Sequence, residues 1–449
     1  MVDGAHPLHG MRVTVLGGGV SGSSMAALAV RLGADVFLSD AGQVDGGRLR
    51  DLGIAYEVGG HTERALDCDM VLVGSGFPPT AKILDLALKK GLPVQGELDF
   101  VLPYLRGRVI GITGSNGKTT TTSLIGHLLR EAGARVAVAG NIGTAVADVA
   151  GEDFDYIVAE LSSFQLHWAS AARLAGAVVT NLAPDHIDWH GSYENYISAK
   201  ARILSFVDGD GFSIVQERDA GVLQPRRPGA YFLGWDTAQR EDRIVLDSRR
   251  RLATLADEEL YRFDETALLG SHNLENVAMS MAVVALCDED RAAARRRLSA
   301  YSPPPHRCAL VLERGGIRYV DDSKGTNIAA TIAALSSIEG SKIVILGGRG
   351  KGENYATLLE PLRRYAKKAL LVGEAAAEIA EALIAGGYEA FAVSGSMERA
   401  VRDAAAVAVD GDVVLLSPAC TSWDAYKNYG ERGDHFASLV RRIVGGMDG

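Results

Sequence analysis

The sequence predicts an α/β protein with three domains: an N-terminal Rossmann-like domain, a central P-loop ATPase-type domain with a mostly parallel sheet, and a C-terminal Rossmann-like domain. Short apolar runs rich in β-branched residues alternate with helical stretches, which is the pattern of βαβ units. Two of these runs lead into a glycine-rich turn and then a helix. Three consecutive prolines, Pro303–Pro305, favour a stiff extended connector. We therefore expect domains at residues 1–99, 100–302 and 303–449.

Length and composition are those of an ordinary multidomain protein. The 449 residues correspond to roughly two to four domains. A net charge of -10 makes nucleic acid and anionic membranes poor candidates for partners. The four cysteines form no CxxC pair, which argues against a disulfide scaffold or zinc site and suits a reducing cytoplasm. No apolar run approaches the roughly 20 residues of a membrane helix, so we expect a soluble cytoplasmic protein with no nucleic-acid partner and no membrane insertion.

The first glycine turn has the spacing of a dinucleotide-binding loop. Gly17, Gly19 and Gly22 form a GxGxxG pattern between a predicted strand, Val13–Leu16, and a predicted helix. These glycines allow a tight turn, close approach of the backbone to a phosphate, and close packing of helix on strand. Asp40 ends the next predicted strand, where an acid commonly contacts ribose. Taken alone, the pattern suits NAD, FAD or another diphosphate-bearing ligand, and a turn needed only for packing stays an alternative.

The second glycine turn, Gly111–Thr120, predicts a site for the phosphates of a nucleotide. It follows the predicted strand Val109–Thr113, opens a helix and ends in GKT like a Walker A loop, although Ile112 stands where the standard spacing has glycine. Backbone N–H groups of such a loop cradle phosphate, Lys118 neutralises the terminal phosphates, and the Thr119 hydroxyl is placed for a magnesium ion. A lysine at a helix start opposes the helix dipole, so packing alone gives little reason for it.

An acid follows the next predicted strand of the central domain. Tyr156–Ala159 leads directly into Glu160, which would then lie beside the phosphate loop. A carboxylate in this position can hold magnesium directly or through water. The alternative is an acid near a helix start, because Ser162 and Ser163 follow.

Histidines in the central domain carry weaker signals. Asp185 and His186 follow the predicted strand Ala177–Thr180, but histidine is an uncommon magnesium ligand and a lone one in a loop is more often structural. His167 and His190 have no motif around them, and no role is assigned to them.

The third domain again alternates strands and helices. We expect strands at Lys342–Leu346, Ala369–Val372, Ala390–Val393 and Val413–Leu416. A helix is expected at Tyr355–Tyr365, and the chain should close with an amphipathic helix from about Asp434.

Taken together, these motifs resemble those of the Mur ligases, to which the folylpolyglutamate synthases are related. The phosphate loop Thr113–Thr120 is similar to theirs, including its short spacing and Asn116. Further motifs follow in family order across nearly the whole chain: Asn141-Ile142-Gly143, Glu160, Asp185-His186, Gly270 with His272-Asn273 and Asn276, Pro305-His306-Arg307, Asp322-Ser323-Lys324 with Thr326-Asn327, and Gly347-Gly348 with Lys351. The chain departs from the family at Ser75-Gly76-Phe77, where Ser-Pro-Gly is usual.

Two stretches most resemble the family members that add D-glutamate: Glu160–Leu166, and Ser417–Asp424 followed by Lys427–Tyr429 and Arg432-Gly433. The resemblance therefore implies an ATP-dependent amide-bond ligase of peptidoglycan precursor synthesis. Its substrates would be UDP-N-acetylmuramoyl-L-alanine, D-glutamate and ATP, and its route an acyl phosphate. The resemblance also implies magnesium, with two ions expected. We further expect a monomer.

The resemblance implies a role for each matching residue. The residues expected to bind the nucleotide sugar are Gly19, Val20, Ser21, Gly22, Asp40, Ser75, Asn141 and His186. Those expected to bind ATP are Gly114, Ser115, Asn116, Gly117, Lys118, Thr119, Thr120, Asn273, Asn276, Arg307 and Asp322. D-glutamate would contact Lys324, Thr326, Lys351, Ser422 and Tyr429. The expected catalytic residues are Lys118, Glu160, His186, Lys200 and Arg307, and the expected metal ligands are Thr119, Glu160, His186 and carbamylated Lys200.

Lys200 matches the lysine that is carbamylated in the family. It lies on a helix predicted at about Tyr193–Leu204, where a surface lysine with a helical salt-bridge partner is the alternative. An ammonium group cannot ligate magnesium, whereas a carbamate offers the hard anionic oxygens that magnesium prefers.

Three other functions stay open. The GxGxxG turn alone would suit a nicotinamide-dependent oxidoreductase, which leaves the phosphate loop unexplained. A related ligase with another acceptor amino acid would share every motif of the ATP site. A nucleotide-sugar-binding protein without activity would have no need of Lys118, Glu160 and Lys324.

Overall fold

The computed structural model describes residues 7–226, 228–268 and 270–446, with the side chain of Asp188 excepted. Within these residues the strands form three sheets of five, nine and six strands. The sheets follow one another along the chain, and each falls inside one of the three predicted segments. The predicted α/β class with three domains is therefore confirmed.

The N-terminal sheet is parallel throughout. Its strands are β1 (Arg12–Leu16), β2 (Asp35–Asp40), β3 (Ala55–Val58), β4 (Met70–Val73) and β5 (Val94–Gly96). Its helices are α1 (Val20–Arg31), α2 (Gly46–Asp51), α3 (Lys82–Lys89) and α4 (Glu97–Val101), with 3-10 turns at Glu63–Leu66 and Leu102–Tyr104. The strand order β3-β2-β1-β4-β5 puts β1 at the centre, as expected for a Rossmann-like domain.

The central sheet is parallel except at one edge. Its strands are β6 (Arg106–Thr113), β7 (Val136–Gly140), β8 (Asp153–Glu160), β9 (Leu174–Val179), β10 (Val207–Gln216), β11 (Ala230–Trp235), β12 (Arg243–Asp247), β13 (Leu252–Leu255) and β14 (Glu258–Arg262). The order is β14-β13-β12-β11-β10-β9-β6-β8-β7, and only β12-β13 and β13-β14 are antiparallel. The predicted mostly parallel sheet is confirmed.

Helices and short 3-10 turns lie between the strands of the central sheet and follow its last strand. The helices are α5 (Lys118–Glu131), α6 (Ser163–Trp168), α7 (Ile187–His190), α8 (Tyr193–Ser205), α9 (Ala220–Leu223), α10 (Ser271–Leu286) and α11 (Arg291–Arg296). The 3-10 turns are Val146–Val149, Glu217–Asp219, Phe263–Glu265 and Leu298–Ala300. Strands β8 and β9 flank β6, so the carboxyl ends of these three strands meet at one edge, where α/β sheets bind ligands.

The C-terminal sheet is parallel except for its first strand. Its strands are β15 (Ala309–Arg314), β16 (Ile317–Asp321), β17 (Lys342–Gly347), β18 (Ala366–Val372), β19 (Phe391–Gly395) and β20 (Val413–Leu416). Its helices are α12 (Ile328–Ser337), α13 (Leu359–Tyr365), α14 (Ala376–Ala385), α15 (Met397–Val407) and α16 (Tyr429–Ile443), with a 3-10 turn at Tyr355–Leu358. The order β15-β16-β20-β17-β18-β19 places β16, β20 and β17 side by side.

The chain divides into two compact units. One comprises Met1–Glu265 with Val277–Ser299, and the other Thr266–Asn276 with Ala300–Gly449. The first unit thus contains both the N-terminal and the central sheet, and the predicted boundaries at 99/100 and 302/303 stay predictions. Among the described residues, every helix is too short or too polar to cross a bilayer.

Candidate functional site

The first glycine turn connects β1 to α1 in the N-terminal sheet. Gly17 has a φ of 89°, a left-handed conformation that favours glycine. A Cβ on Gly22 would lie 1.8 Å from the Gly17 carbonyl oxygen, so only glycine fits there. The carboxylate of Asp40 accepts hydrogen bonds from Gly18 N at 2.5 Å and Gly42 N at 2.6 Å. Asp40 therefore holds the turn itself, besides any contact it makes with a ligand.

A cavity of about 760 Å³ opens beside this turn. Seven of the eight residues predicted for the nucleotide sugar line it: Gly19, Val20, Ser21, Gly22, Asp40, Ser75 and Asn141. His186, the eighth, is not among the lining residues. A cavity of this size can hold a large part of a nucleotide sugar.

Three polar lining residues were not predicted as site residues: His61, Glu97 and Gln165. Glu97, the first residue of α4, accepts a hydrogen bond of 2.9 Å from Gln165 Nε2. Gln165 also closes a capping box with Ser162 at the start of α6. The side chains of Glu97 and Gln165 are both buried, and burial raises the pKa of the Glu97 carboxyl. The pair couples the helix after the N-terminal sheet to the segment that follows Glu160.

The phosphate loop lies at the carboxyl end of β6, where the sequence predicted it. Gly117 has a φ of 80° and precedes α5, whose first residue is Lys118. Lys118 Nζ folds back and donates to the Gly114 and Ser115 carbonyl oxygens, each at 2.8 Å. A Cβ on Gly114 would lie 2.0 Å from Thr180 Oγ1. These contacts and the backbone geometry of its glycines fix the loop, which leaves the N-terminus of α5 open to an anion.

Ser115 and Asn116 of the phosphate loop are hydrogen-bonded to the loop after β9. Asn116 N donates to Asn181 Oδ1 at 3.0 Å. Ser115 Oγ donates to the Ala183 carbonyl and lies 2.8 Å from Tyr196 Oη. Thr119 and Thr120, at the start of α5, are buried. Tyr196 was not predicted, although it stands four residues before Lys200 on the same helix.

Lys200 is buried beneath the phosphate loop and is not on the surface. Only 2% of its area is exposed, and Nζ donates to the Gly114 carbonyl at 2.6 Å. The amine also lies 4.8 Å from the centre of the Tyr196 ring. Burial, and then the charge of Lys118, hold the pKa of Lys200 well below its ordinary value, although the charges of Asp185 and Glu160 oppose this.

Glu160 provides a buried carboxylate at the end of β8. Its side chain is 1% exposed, and Oε1 accepts from Asn141 Nδ2 at 3.0 Å, whereas Oε2 has no hydrogen-bond partner in the part of the chain that the structure describes. Burying a carboxylate oxygen without a hydrogen-bond partner destabilises the folded protein unless a cation binds to that oxygen. Among the described residues no cluster of three or more acidic, histidine or cysteine side chains surrounds a metal position. Magnesium commonly takes one or two carboxylates with water and phosphate oxygens, so Glu160 fits this ion.

His186 stands at the N-terminus of α7 with a φ of 51°. Its Nε2 lies 3.6 Å from Asp185 Oδ2, and its ring packs edge-on against Phe164 at 4.8 Å. His190, to which no role was assigned, is buried with Nε2 3.0 Å from Ser163 Oγ. The structure thus joins the segment after Glu160 to the segment of His186 through aromatic side chains.

The adenosine candidates all lie in the second compact unit. Asn276 Nδ2 donates to Asn273 Oδ1 at 3.1 Å, and both are buried on α10. Asp322 accepts from Ser417 Oγ at 2.7 Å, and burial raises its pKa to about 7. Arg307 follows His306, whose Nδ1 lies 2.7 Å from Asp321 Oδ2.

The D-glutamate candidates follow the adjacent strands β16, β17 and β20 and begin α16. Lys324 Nζ lies 4.1 Å from the centre of the Tyr429 ring, so these two are brought together. Ser422 is buried, and its carbonyl accepts from Tyr426 N at 2.9 Å. Thr326 N donates to the Lys324 carbonyl at 2.8 Å. Lys351 lies in the loop after β17.

Three family models match the chain in order along the sequence. A MurD N-terminal domain matches residues 12–83, a Mur ligase middle domain residues 112–284, and a Mur ligase glutamate ligase domain residues 306–420. Each match falls on one of the three sheets described above.

Relatives resemble the chain over nearly its whole length. A UDP-N-acetylmuramoylalanine–D-glutamate ligase of Pelotomaculum thermopropionicum is 38% identical, covering 97% of this chain and 98% of the relative. One of Geobacillus kaustophilus is 37% identical over 96% and 98%. The MurF ligase of Thermotoga maritima, solved in complex with ADP, has a TM-score of 0.61 at 19% identity, covering 99% of both chains. This last likeness concerns the fold.

Proposed function

The chain belongs to the Mur ligase family of ATP-dependent ligases, and on that premise we propose that it joins D-glutamate to UDP-N-acetylmuramoyl-L-alanine in peptidoglycan precursor synthesis. The observation that carries the proposal is the convergence of Lys118, Lys200 and Glu160 on one phosphate loop. The cavity beside the first glycine turn supports a nucleotide sugar as the second ligand of the same compact unit.

The proposed reaction has two steps. An amide does not form spontaneously from a carboxylate and an amine in water, so the carboxylate of the L-alanyl group first attacks the γ-phosphorus of ATP and ADP leaves. The amine of D-glutamate then attacks the carbonyl carbon of the acyl phosphate, inorganic phosphate leaves, and the nitrogen loses a proton. No covalent enzyme intermediate is needed.

The first step brings an anionic carboxylate to an anionic triphosphate. Lys118 and the backbone N–H groups of Gly114–Thr120 offset that repulsion and the charge on the transferring phosphoryl group. We assign the same role to Arg307. Asn273, Asn276 and Asp322 are proposed to hold the adenosine.

Magnesium is proposed to bind through Thr119, Glu160, His186 and a carbamylated Lys200, with two ions in all. The partnerless Oε2 of Glu160 supports this assignment. When bound, the metal neutralises charge on the phosphates. Carbamylation requires a neutral amine, and burial, which lowers the pKa of Lys200, favours that form. The amine nitrogen then bonds to the carbon of CO₂ and releases a proton, which leaves an anionic carbamate.

D-glutamate is proposed to bind through Lys324, Thr326, Lys351, Ser422 and Tyr429. Lysines suit the two carboxylates of this amino acid, and Lys324 is held against the Tyr429 ring. We also propose that the protein acts as a monomer in the cytoplasm. The four cysteines, all buried and free of disulfides, support a reducing compartment.

Mass spectrometry of the product tests the proposal. Wild-type protein with ATP, magnesium, UDP-N-acetylmuramoyl-L-alanine and D-glutamate should give a product heavier by one glutamyl residue, together with ADP and phosphate. Lys118→Ala is the control, and it should stay folded by circular dichroism but form no product. A panel of other amino acids tests the alternative acceptors. Product with another amino acid and none with D-glutamate would contradict the assigned acceptor.

A further inference from the structure

A buried arginine whose hydrogen-bond acceptors among the described residues are all neutral oxygens lies at the predicted acceptor site. Arg432 belongs to the buried face of α16, and only 2% of its area is exposed. It is the largest fully buried side chain among the described residues. Neither the proposed reaction nor any predicted role accounts for it.

The guanidinium group of Arg432 donates to three separate loops. Nε donates to Ser323 Oγ at 2.9 Å, and one terminal nitrogen donates to the Ser323 carbonyl at 2.8 Å. Both terminal nitrogens donate to the Cys420 carbonyl at 3.1 Å. The Thr421 and Gly347 carbonyls accept at 3.2 and 3.5 Å. Arg432 therefore uses its planar set of donors to fix loops that are distant in the sequence.

The three loops are the ones that carry the acceptor candidates. They follow β16, β17 and β20, which lie side by side with their carboxyl ends at one edge. Ser323 precedes Lys324, Thr421 precedes Ser422, and Gly347 begins the loop that leads to Lys351. Ser323 Oγ also donates to the Tyr429 carbonyl at 2.8 Å. One side chain is thus linked to every segment predicted to contact D-glutamate.

The charge of Arg432 forms no ion pair with a described residue. Two carboxylates in its vicinity are engaged elsewhere, since Asp321 pairs with His306 and Asp424 accepts from Glu374 N. The acceptors of the guanidinium are neutral carbonyl and hydroxyl oxygens, so its charge is stabilised but not cancelled. Burial lowers its pKa to about 10, which leaves the group cationic at neutral pH. A buried positive charge attracts anions more strongly than an exposed one.

We propose that Arg432 is a positioning residue of the acceptor site: it fixes the loops of Lys324, Lys351 and Ser422, and its charge favours a dicarboxylate amino acid. The inference rests on the proposed function. It extends that function by naming a residue that acts through others and does not itself touch the acceptor.

Two substitutions separate the geometry of Arg432 from its charge. Arg432→Lys keeps the charge but loses the planar set of donors, and it should raise the KM for D-glutamate by about tenfold. Arg432→Met removes both and should raise this KM further. The KM for the nucleotide sugar should stay within about twofold of wild type, because its proposed residues belong to the other compact unit and share no hydrogen-bond partner with Arg432. The matched control is Arg318→Met. Arg318 lies near the start of β16, at the end of the strand opposite to the acceptor loops, and it donates to the Glu339 carbonyl.

The outcomes distinguish this inference from the proposed function. No D-glutamate product from wild-type protein would remove the proposed function itself. Product from wild type with an unchanged KM for D-glutamate in both folded variants would overturn the role of Arg432, as would an equal rise in the KM for the nucleotide sugar. If neither variant folds, Ser323→Ala removes one acceptor of Arg432 and must by itself raise the KM for D-glutamate. An unchanged KM in Ser323→Ala would then overturn the inference.

Discussion

Two lysine amines donate to one backbone oxygen at the phosphate loop. The Gly114 carbonyl accepts from Lys118 at 2.8 Å and from Lys200 at 2.6 Å. Two ammonium groups that share one acceptor repel each other, and only Lys118 is placed at the start of α5, where phosphate is proposed to bind. The arrangement favours a cationic Lys118 and a neutral Lys200, which is the form of an amine that reacts with CO₂.

Removal of the Lys200 amine should therefore abolish most activity, and a small acid should restore part of it. Acetate or propionate can place a carboxylate where the carbamate of Lys200 is proposed to lie. We expect Lys200→Ala to form product at less than a tenth of the wild-type rate, roughly the effect of losing one metal-orienting group. Product formation is measured with and without added acetate. Full activity of Lys200→Ala in carbonate-depleted buffer would contradict the carbamate.

The burial of Glu97 predicts how the stability of the folded protein changes with pH. Burial raises its pKa in the folded protein above the unfolded value of 4.5, so the folded state binds the proton more tightly. This contribution to stability is fully present below the unfolded pKa and is lost as the pH rises through the raised folded pKa. Glu97→Gln stays neutral and can still accept from Gln165. The melting temperature of this variant minus that of wild type should therefore increase with pH across that window.

The matched control for Glu97 is Glu63→Gln, an exposed acid in the same sheet domain. As a substitution on the surface, it should change the melting temperature little. A pH-independent difference for Glu97→Gln would show that the carboxyl titrates alike in both states.

Glu97 and Arg432 also show where sequence reasoning stops at the residue scale. No motif surrounds Glu97, and its partner Gln165 lies 68 residues away. Arg432 reaches Ser323 across 109 residues. The contacts of both side chains are made with residues distant in the sequence, whereas the positions of Lys118 and Glu160 were predictable because each stands at or just after the end of an apolar strand.

At the scale of secondary-structure elements, the buried parallel strands were predictable, whereas the residue that begins the last helix was not. Strands β1, β6, β17 and β20 are apolar runs because both faces are covered, which makes them visible in the sequence. The antiparallel strands β13 and β14 were not predicted. The last helix begins at Tyr429 and not near Asp434, because Asn428 accepts from Glu431 N and caps it. The expected helix Tyr355–Tyr365 starts as a 3-10 turn.

In the first glycine turn, Gly22 is required by the packing of the backbone and Gly19 lines the cavity, so their substitutions should have different effects on stability and binding. A Cβ at Gly22 would meet the Gly17 carbonyl, which belongs to the backbone and cannot move aside without opening the turn. A Cβ at Gly19 would meet nothing within 4 Å, and it would stand in the cavity. Gly22→Ala should therefore lower the melting temperature by several degrees. Gly19→Ala should keep the melting temperature and weaken binding of the nucleotide sugar by about tenfold or more.

Thermal unfolding and titration calorimetry measure the two effects of these glycine substitutions. Equal melting temperatures for both variants would show that the turn tolerates a side chain at Gly22. Unchanged affinity in Gly19→Ala would remove the nucleotide sugar from this side of the cavity.

At the scale of the whole molecule, the nucleotide sugar and D-glutamate are assigned to different compact units. All residues proposed for the nucleotide sugar belong to the first unit, and all those proposed for D-glutamate belong to the second. Each unit has its own hydrophobic cores, built on separate sheets. Binding to one unit can therefore be detected separately from binding to the other.

Hydrogen exchange should resolve the two binding events along the chain. Backbone N–H groups in ligand-binding loops exchange quickly until a ligand orders them, so protection marks the loops that bind. UDP-N-acetylmuramoyl-L-alanine alone should slow exchange in residues 17–22 and 74–77. D-glutamate at high concentration should slow exchange in residues 322–326 and 417–424, and L-glutamate is the matched control, expected to have little effect. Protection of 417–424 by the nucleotide sugar alone, with none at 17–22, would reverse the assignment of substrates to units.

Hydrogen exchange can also be measured on the Arg432→Met variant. Loss of the hydrogen bonds from Arg432 to the Cys420 and Thr421 carbonyls should raise the exchange rate in residues 417–424 before any ligand is added.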